Sequence, residues 1–192
     1  MTRAKSFGPS ALATPANAIT VARLVLSPPL WALIVVFGPS WVALPLWIVL
    51  AATDGLDGYI ARRMGTTRSG AFLDPLADKA LVLGAMWAIV AAGGFWWLPV
   101  ALITVRELAI SLFRWYWSRR GLAVPARFLA KVKTIVQAIA VGFALLPPVA
   151  DHDDLTWIVS AWLWAAVVLT LVTGVQYMLE GSRATTAEGV RA

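Results

Sequence analysis

Residues 41–62 read WVALPLWIVLAATDGLDGYIAR: an apolar run to Ala52, then Asp54 and Asp57 set among glycines, then Arg62. Nothing in the run alternates with the period of two that marks a half-buried strand. Its length of about twenty residues carries a helix across roughly 30 Å of hydrocarbon at about 1.5 Å per residue. Comparable runs lie near 18–37, 70–92, 96–117, 128–146 and 155–178. Breaks fall at Gly38-Pro39, Gly93-Gly94 and Pro147-Pro148, the residue types that punctuate regular structure. Only helices and closed barrels satisfy backbone polar groups in lipid, so continuous runs predict helices. The expected fold is all-α: a polytopic membrane protein with a six-transmembrane-helix bundle over 18–180. A short cytoplasmic segment at 1–17 precedes it, and a polar, disordered cytoplasmic tail at 181–192 follows.

Composition agrees. Of 192 residues, 60% are hydrophobic and 14% charged, against about 25% charged in soluble domains. No room remains for a separate soluble domain, and the first run, with Arg23 and Pro28-Pro29 inside it, reads as an anchored helix rather than a removed signal peptide. The net charge of +6 does not indicate nucleic acid, because the basic residues segregate by loop. Arg3 and Lys5 precede the first run; Arg62, Arg63 and Arg68 join the second to the third; Arg119, Arg120 and Arg127 join the fourth to the fifth. The opposite loops hold no Lys or Arg, and the last carries Asp151, Asp153 and Asp154. This asymmetry puts both termini in the cytoplasm and the chain in the cell's inner (plasma) membrane. The 11 tryptophans are expected to be interfacial and lipid-facing anchors. There is no cysteine and one histidine, His152 in an outer loop, so thiolate and His-rich metal sites are excluded.

The chemistry is therefore sought among carboxylates. Asp54 and Asp57 stand i,i+3 near the end of the second run, and Asp74 and Asp78 i,i+4 near the start of the third. Each spacing places the pair on one helical face, and a short connection allows all four to converge. One aspartate beside a basic loop is ordinarily a salt-bridge partner, here of Arg62, Arg63, Arg68 or Lys79. Four together repel one another and lose hydration at a membrane interface, which a divalent cation offsets. All-oxygen ligation suits Mg2+ or Mn2+, and two ions can clamp a pyrophosphate for in-line displacement at phosphorus. Gly55, Gly58 and Ala61 weaken a helix but let a ligand approach its backbone, and Arg62 can reach a bound phosphate. Pro75 is tolerated where Asp74 lies close to a helix start.

The stretch resembles the signature of the CDP-alcohol phosphatidyltransferases, Asp-x2-Asp-Gly-x2-Ala-Arg followed by Gly-x3-Asp-x3-Asp. Every fixed residue is present: Asp54, Asp57, Gly58, Ala61, Arg62, Gly70, Asp74 and Asp78. The segment from Arg62 to Gly70 is one residue shorter than the family's usual spacing. The resemblance covers nearly the whole chain and implies a six-helix bundle, commonly a homodimer, acting on CDP-diacylglycerol among membrane lipids. It implies that Asp54, Asp57 and Asp74 hold the metals, with Asp78 as a further ligand and as general base toward the acceptor hydroxyl. It also implies that Gly58 and Ala61 lie against the cytidine nucleotide, with Arg62 near its phosphates, and that CMP leaves.

A second group concerns the acceptor. Glu107, Ser111 and Arg114 share one side of the fourth run, Arg106 flanks it, and Lys131 and Lys133 open the fifth. An intramembrane Arg106-Glu107 pair is tolerated when it faces the bundle interior. Arg106, Arg114, Lys131 and Lys133 suit an anionic group on a small phosphorylated alcohol. With Asn17, Thr20 and Arg23 they resemble the family's glycerol-phosphate branch, where Ala130 replaces a glycine before Lys131-Val-Lys133-Thr134. That branch implies sn-glycerol 3-phosphate as acceptor; phosphatidylglycerol or an inositol phosphate are the alternatives. An intramembrane prenyltransferase usually separates its acidic motifs widely, whereas here both pairs fit within 54–78. A transporter needs acids near the midplane and internal repeats, neither of which is present.

Overall fold

The computed structural model describes the backbone of residues 15–64, 70–119 and 128–189, and the side chains of 17–53, 76–113, 116, 132–152 and 154–176. Its long helices are α1 (Pro15–Phe37), α2 (Ala43–Met64), α3 (Gly70–Ala91), α4 (Trp97–Arg119), α5 (Phe128–Leu145) and α7 (Thr156–Gly189). Between the last two lie a single turn, α6 (Pro147–Ala150), and a 3-10 turn at Asp153–Leu155. Among the described residues there is no strand.

The breaks expected from glycine have a backbone cause. Gly38 takes φ 67° and its N–H donates to the Ile34 carbonyl at 2.9 Å, closing α1. Gly93 takes φ 81°; it donates to Val90 at 3.0 Å and Gly94 to Ile89 at 2.9 Å, a Schellman ending for α3. Ser40 then starts α2, its hydroxyl accepting from the Ala43 N–H at 3.2 Å. Inside α1, Pro28 and Pro29 remove two amide donors, yet the helix runs through them. Ser27 Oγ donates to the Arg23 carbonyl one turn back at 2.8 Å.

The helices form two groups of three. In the first, α1 packs along both α3 and α2; in the second, α7 packs along both α5 and α4. Smaller contacts of α3 with α4 and α5, and of α2 with α5, join the groups. Although consecutive, α2 and α3 meet over only a short stretch, because α1 takes most of the packing face of each. The α1–α3 contact is close: a Cβ added at Gly84 would stand 2.2 Å from the Trp31 ring. Gly84→Ala is expected to destabilise the fold by about 1–3 kcal/mol through overpacking. Thermal unfolding in detergent checks this, and an unchanged midpoint would mean that Trp31 can move aside.

Apolar side chains point outward as well as inward. Val25, Val36, Val105, Leu112 and Val168 are exposed, while Leu30, Ile34, Met86, Ile103, Val141 and Leu145 are buried. Among the described residues, two helical segments, Asn17–Phe37 and Thr156–Gln176, are long and apolar enough to cross a membrane. Among the described residues, α2 and α5 hold further apolar stretches at Ala43–Thr53 and Val132–Leu145.

Two expectations need correction. Trp47 is not a lipid-facing anchor: it is 2% exposed, in the core, with Nε1 donating to the Ala138 carbonyl at 3.2 Å. Indole fills a large core volume when its N–H has a partner. The segment expected to be a disordered tail from 181 is helical as far as Gly189. It lacks proline and contains Ala, Glu and Arg, and extending an existing helix avoids the cost of nucleation.

Candidate active site at the acidic helix ends

The helix α2 runs unbroken through Asp54 and Asp57 to Met64, and α3 through Asp74 and Asp78 from Gly70. Helical spacing therefore puts each pair on one face, towards the ends joined by residues 65–69. The side chain of Asp78 is partly buried. Asp54, Asp57, Gly58, Ala61, Arg62 and Asp74 lie outside the residues whose side chains are described, as do Arg114 and Lys131. Carboxylate oxygens are the donors that a hard divalent cation takes.

A third helix borders this end. On α1, Asn17, Thr20, Arg23 and Ser27 are all buried. Their spacing of three, three and four makes an inward polar stripe on an otherwise apolar helix. Arg23, 1% exposed, donates from Nε to Thr53 Oγ1 at 3.3 Å, and Thr53 Oγ1 donates to the Leu50 carbonyl at 2.6 Å. Arg23 thus reaches the residue just before Asp54. The sequence flagged Arg23 but not this placement; its signal was the three-to-four periodicity of the polar residues.

A buried ionic cluster occupies the second group of helices. Arg106, Glu107 and Lys133 are 8%, 5% and 7% exposed. Arg106 Nη1 donates to Glu107 Oε1 at 2.8 Å, and Lys133 Nζ donates to the same oxygen. The Arg106-Glu107 pair therefore faces the interior of the bundle. Ser111 Oγ donates to the Glu107 carbonyl at 2.6 Å and accepts from Lys79 Nζ on α3. Lys79 follows Asp78 in the chain, so the cluster is contiguous with the acidic end. From α7, Thr173 Oγ1 accepts from Arg106 Nη2 at 2.7 Å, and Thr170 Oγ1 accepts from Gln137 Nε2 at 3.2 Å. Sequence reasoning missed Thr170 and Thr173, whose signal was two hydroxyls spaced i,i+3 within an apolar helix.

Among the described residues, one carboxylate serves both Arg106 and Lys133. Buried ions are costly unless paired. Arg106 Nε is, in addition, a buried donor without a hydrogen-bond partner, a state that costs about 1–3 kcal/mol. A spare guanidinium donor is a group from which an anion can accept.

An acidic pair thus stands on each of two helix ends, and a buried ionic cluster reaches Lys79, the neighbour of Asp78, through Ser111. The chain belongs to the CDP-alcohol phosphatidyltransferase family, whose profile matches residues 13–172. A relative named "Probable phosphatidylglycerophosphate synthase" from Mycobacterium tuberculosis (strain ATCC 25618 / H37Rv) is 36% identical over 184 residues, covering 92% of this chain and 85% of the relative. Proteins named "CDP-diacylglycerol--glycerol-3-phosphate 3-phosphatidyltransferase" from Escherichia coli (strain K12) and Shigella flexneri serotype 5b are each 35% identical over 168 residues. Those alignments cover 83% of this chain and 90% of each relative.

Proposed function

We propose that this protein transfers the phosphatidyl group of CDP-diacylglycerol to sn-glycerol 3-phosphate, giving phosphatidylglycerol phosphate and CMP. The observation that carries the acceptor assignment is the buried Arg106 and Lys133 sharing one carboxylate, with Arg106 Nε unpartnered. A phosphate monoester supplies an acceptor for that donor. The names of the relatives support the same reaction.

In this reading Asp54, Asp57, Asp74 and Asp78 hold Mg2+ or Mn2+, two ions in all. Bound there, the metal neutralises charge on the diphosphate as it is displaced. Gly58 and Ala61 let the cytidine nucleotide lie against α2, and Arg62 reaches its phosphates. Asp78 accepts the proton of the acceptor hydroxyl as the oxygen attacks the phosphorus that carries the diacylglycerol. The bond between that phosphorus and the bridging oxygen breaks, and CMP departs with the oxygen. Arg106, Arg114, Lys131 and Lys133 orient the acceptor through its phosphate, so that attack is effectively intramolecular.

The six long helices serve as six spans of the inner membrane, with both termini cytoplasmic and the chain paired as a homodimer. Arg106 and Glu107 of α4 and Lys133 of α5, charged residues in mostly apolar helices, are turned inward by the bundle. An interfacial site keeps the acyl chains in lipid while the nucleotide stays in water. The test is incorporation of labelled acceptor by purified protein supplied with CDP-diacylglycerol. Glycerol 3-phosphate is expected to be incorporated with release of CMP, a reaction stopped by EDTA and restored by Mg2+ or Mn2+. No incorporation from glycerol 3-phosphate, with turnover of phosphatidylglycerol or an inositol phosphate instead, would remove this acceptor.

A further inference from the structure

We infer that Thr173 and Gly174 of α7 are positioning residues for the acceptor, acting through Arg106. The inference rests on the reading of Arg106 as an acceptor-phosphate residue. Thr173 Oγ1 accepts from Arg106 Nη2 at 2.7 Å, and its own proton goes to a backbone carbonyl, that of Leu169 at 2.7 Å or Thr170 at 3.0 Å. A hydroxyl has one proton, so this bond to the helix leaves its lone pairs to the guanidinium and fixes which way they point. The seat is rigid on that side.

Gly174 completes it sterically. A Cβ added there would stand 3.2 Å from Arg106 Nε, tighter than ordinary contact, and 3.4 Å from its Cγ. The side chain therefore lies against bare helix backbone. Glu107 holds Nη1 and Thr173 holds Nη2, so the planar fork is fixed at two corners in a cluster that is almost fully buried. Bidentate phosphate recognition depends on the orientation of that plane, which a point charge does not have. The last helix, remote in sequence from the aspartates, thereby sets the geometry of acceptor capture.

Thr173→Val keeps the shape and removes the hydroxyl; Thr173→Ser keeps the hydroxyl. Thr173→Val is expected to raise KM for glycerol 3-phosphate about tenfold, the size of one hydrogen bond to a charged group. KM for CDP-diacylglycerol should be unchanged, Thr173→Ser should restore the acceptor KM, and Gly174→Ala should raise it again. If Thr173→Val leaves both KM values unaltered, or moves them together, the seat has no positioning role. Arg106→Gln separates the two readings. A selective rise in acceptor KM there, without one in Thr173→Val, overturns only the seat; no selective rise in Arg106→Gln overturns the acceptor role of Arg106 itself.

Discussion

Asparagine in place of Asp78 is expected to lower turnover by about 10²–10⁴-fold, the usual contribution of a positioned general base. The amide is nearly isosteric with the carboxylate but cannot take up a proton from an alcohol. Asp78 is the only one of the four motif aspartates whose side chain the structure describes, and it is partly buried on α3, directly before Lys79. Release of CMP in detergent or nanodiscs measures the loss, and an unchanged melting temperature excludes misfolding. Titration with Mn2+ tests the second role of Asp78. A purely basic role leaves the half-activating concentration in place, whereas a ligating role raises it. Turnover near that of the parent protein would remove Asp78 as base.

The second large effect concerns stability. Glu107→Gln leaves Arg106 and Lys133 buried without their shared countercharge. Removing one partner of a buried ionic cluster typically costs about 3–5 kcal/mol. The melting temperature should fall markedly, and adding Lys133→Met to the same protein should recover part of the loss because the uncompensated ammonium is gone. Thermal unfolding of both variants in one detergent gives the comparison. An unaltered melting temperature in the single variant would mean that water reaches the cluster and screens it.

Much of this architecture was legible in the residues. Apolar runs of bilayer length gave the long helices, and Gly38 and Gly93 gave two of their ends, because a left-handed residue is the ordinary way to close a helix. The inward face of Arg106 and Glu107 was also foreseeable, since an ion pair has no stable place against lipid. What failed to show was choice of neighbour. Periodicity says which face of a helix is buried but not which helix covers it, so the wedging of α1 against both α2 and α3 was invisible. The same limit concealed Trp47 in the core and the pairing of Thr173 with Arg106, sixty-seven positions apart. Hydropathy likewise set the end of the final helix where apolar residues stop, although its hydrogen bonding continues.

The division into two helix triplets has an evolutionary corollary. In the proposed reading the residues that grip the nucleotide belong to the earlier triplet, whereas Arg106, Glu107, Lys133 and Thr173 belong to the later one. Inherited changes in the second half of the gene can retune which alcohol is accepted while the displacement machinery encoded by the first half passes on intact. Such a scaffold can diversify its products by drift in three helices.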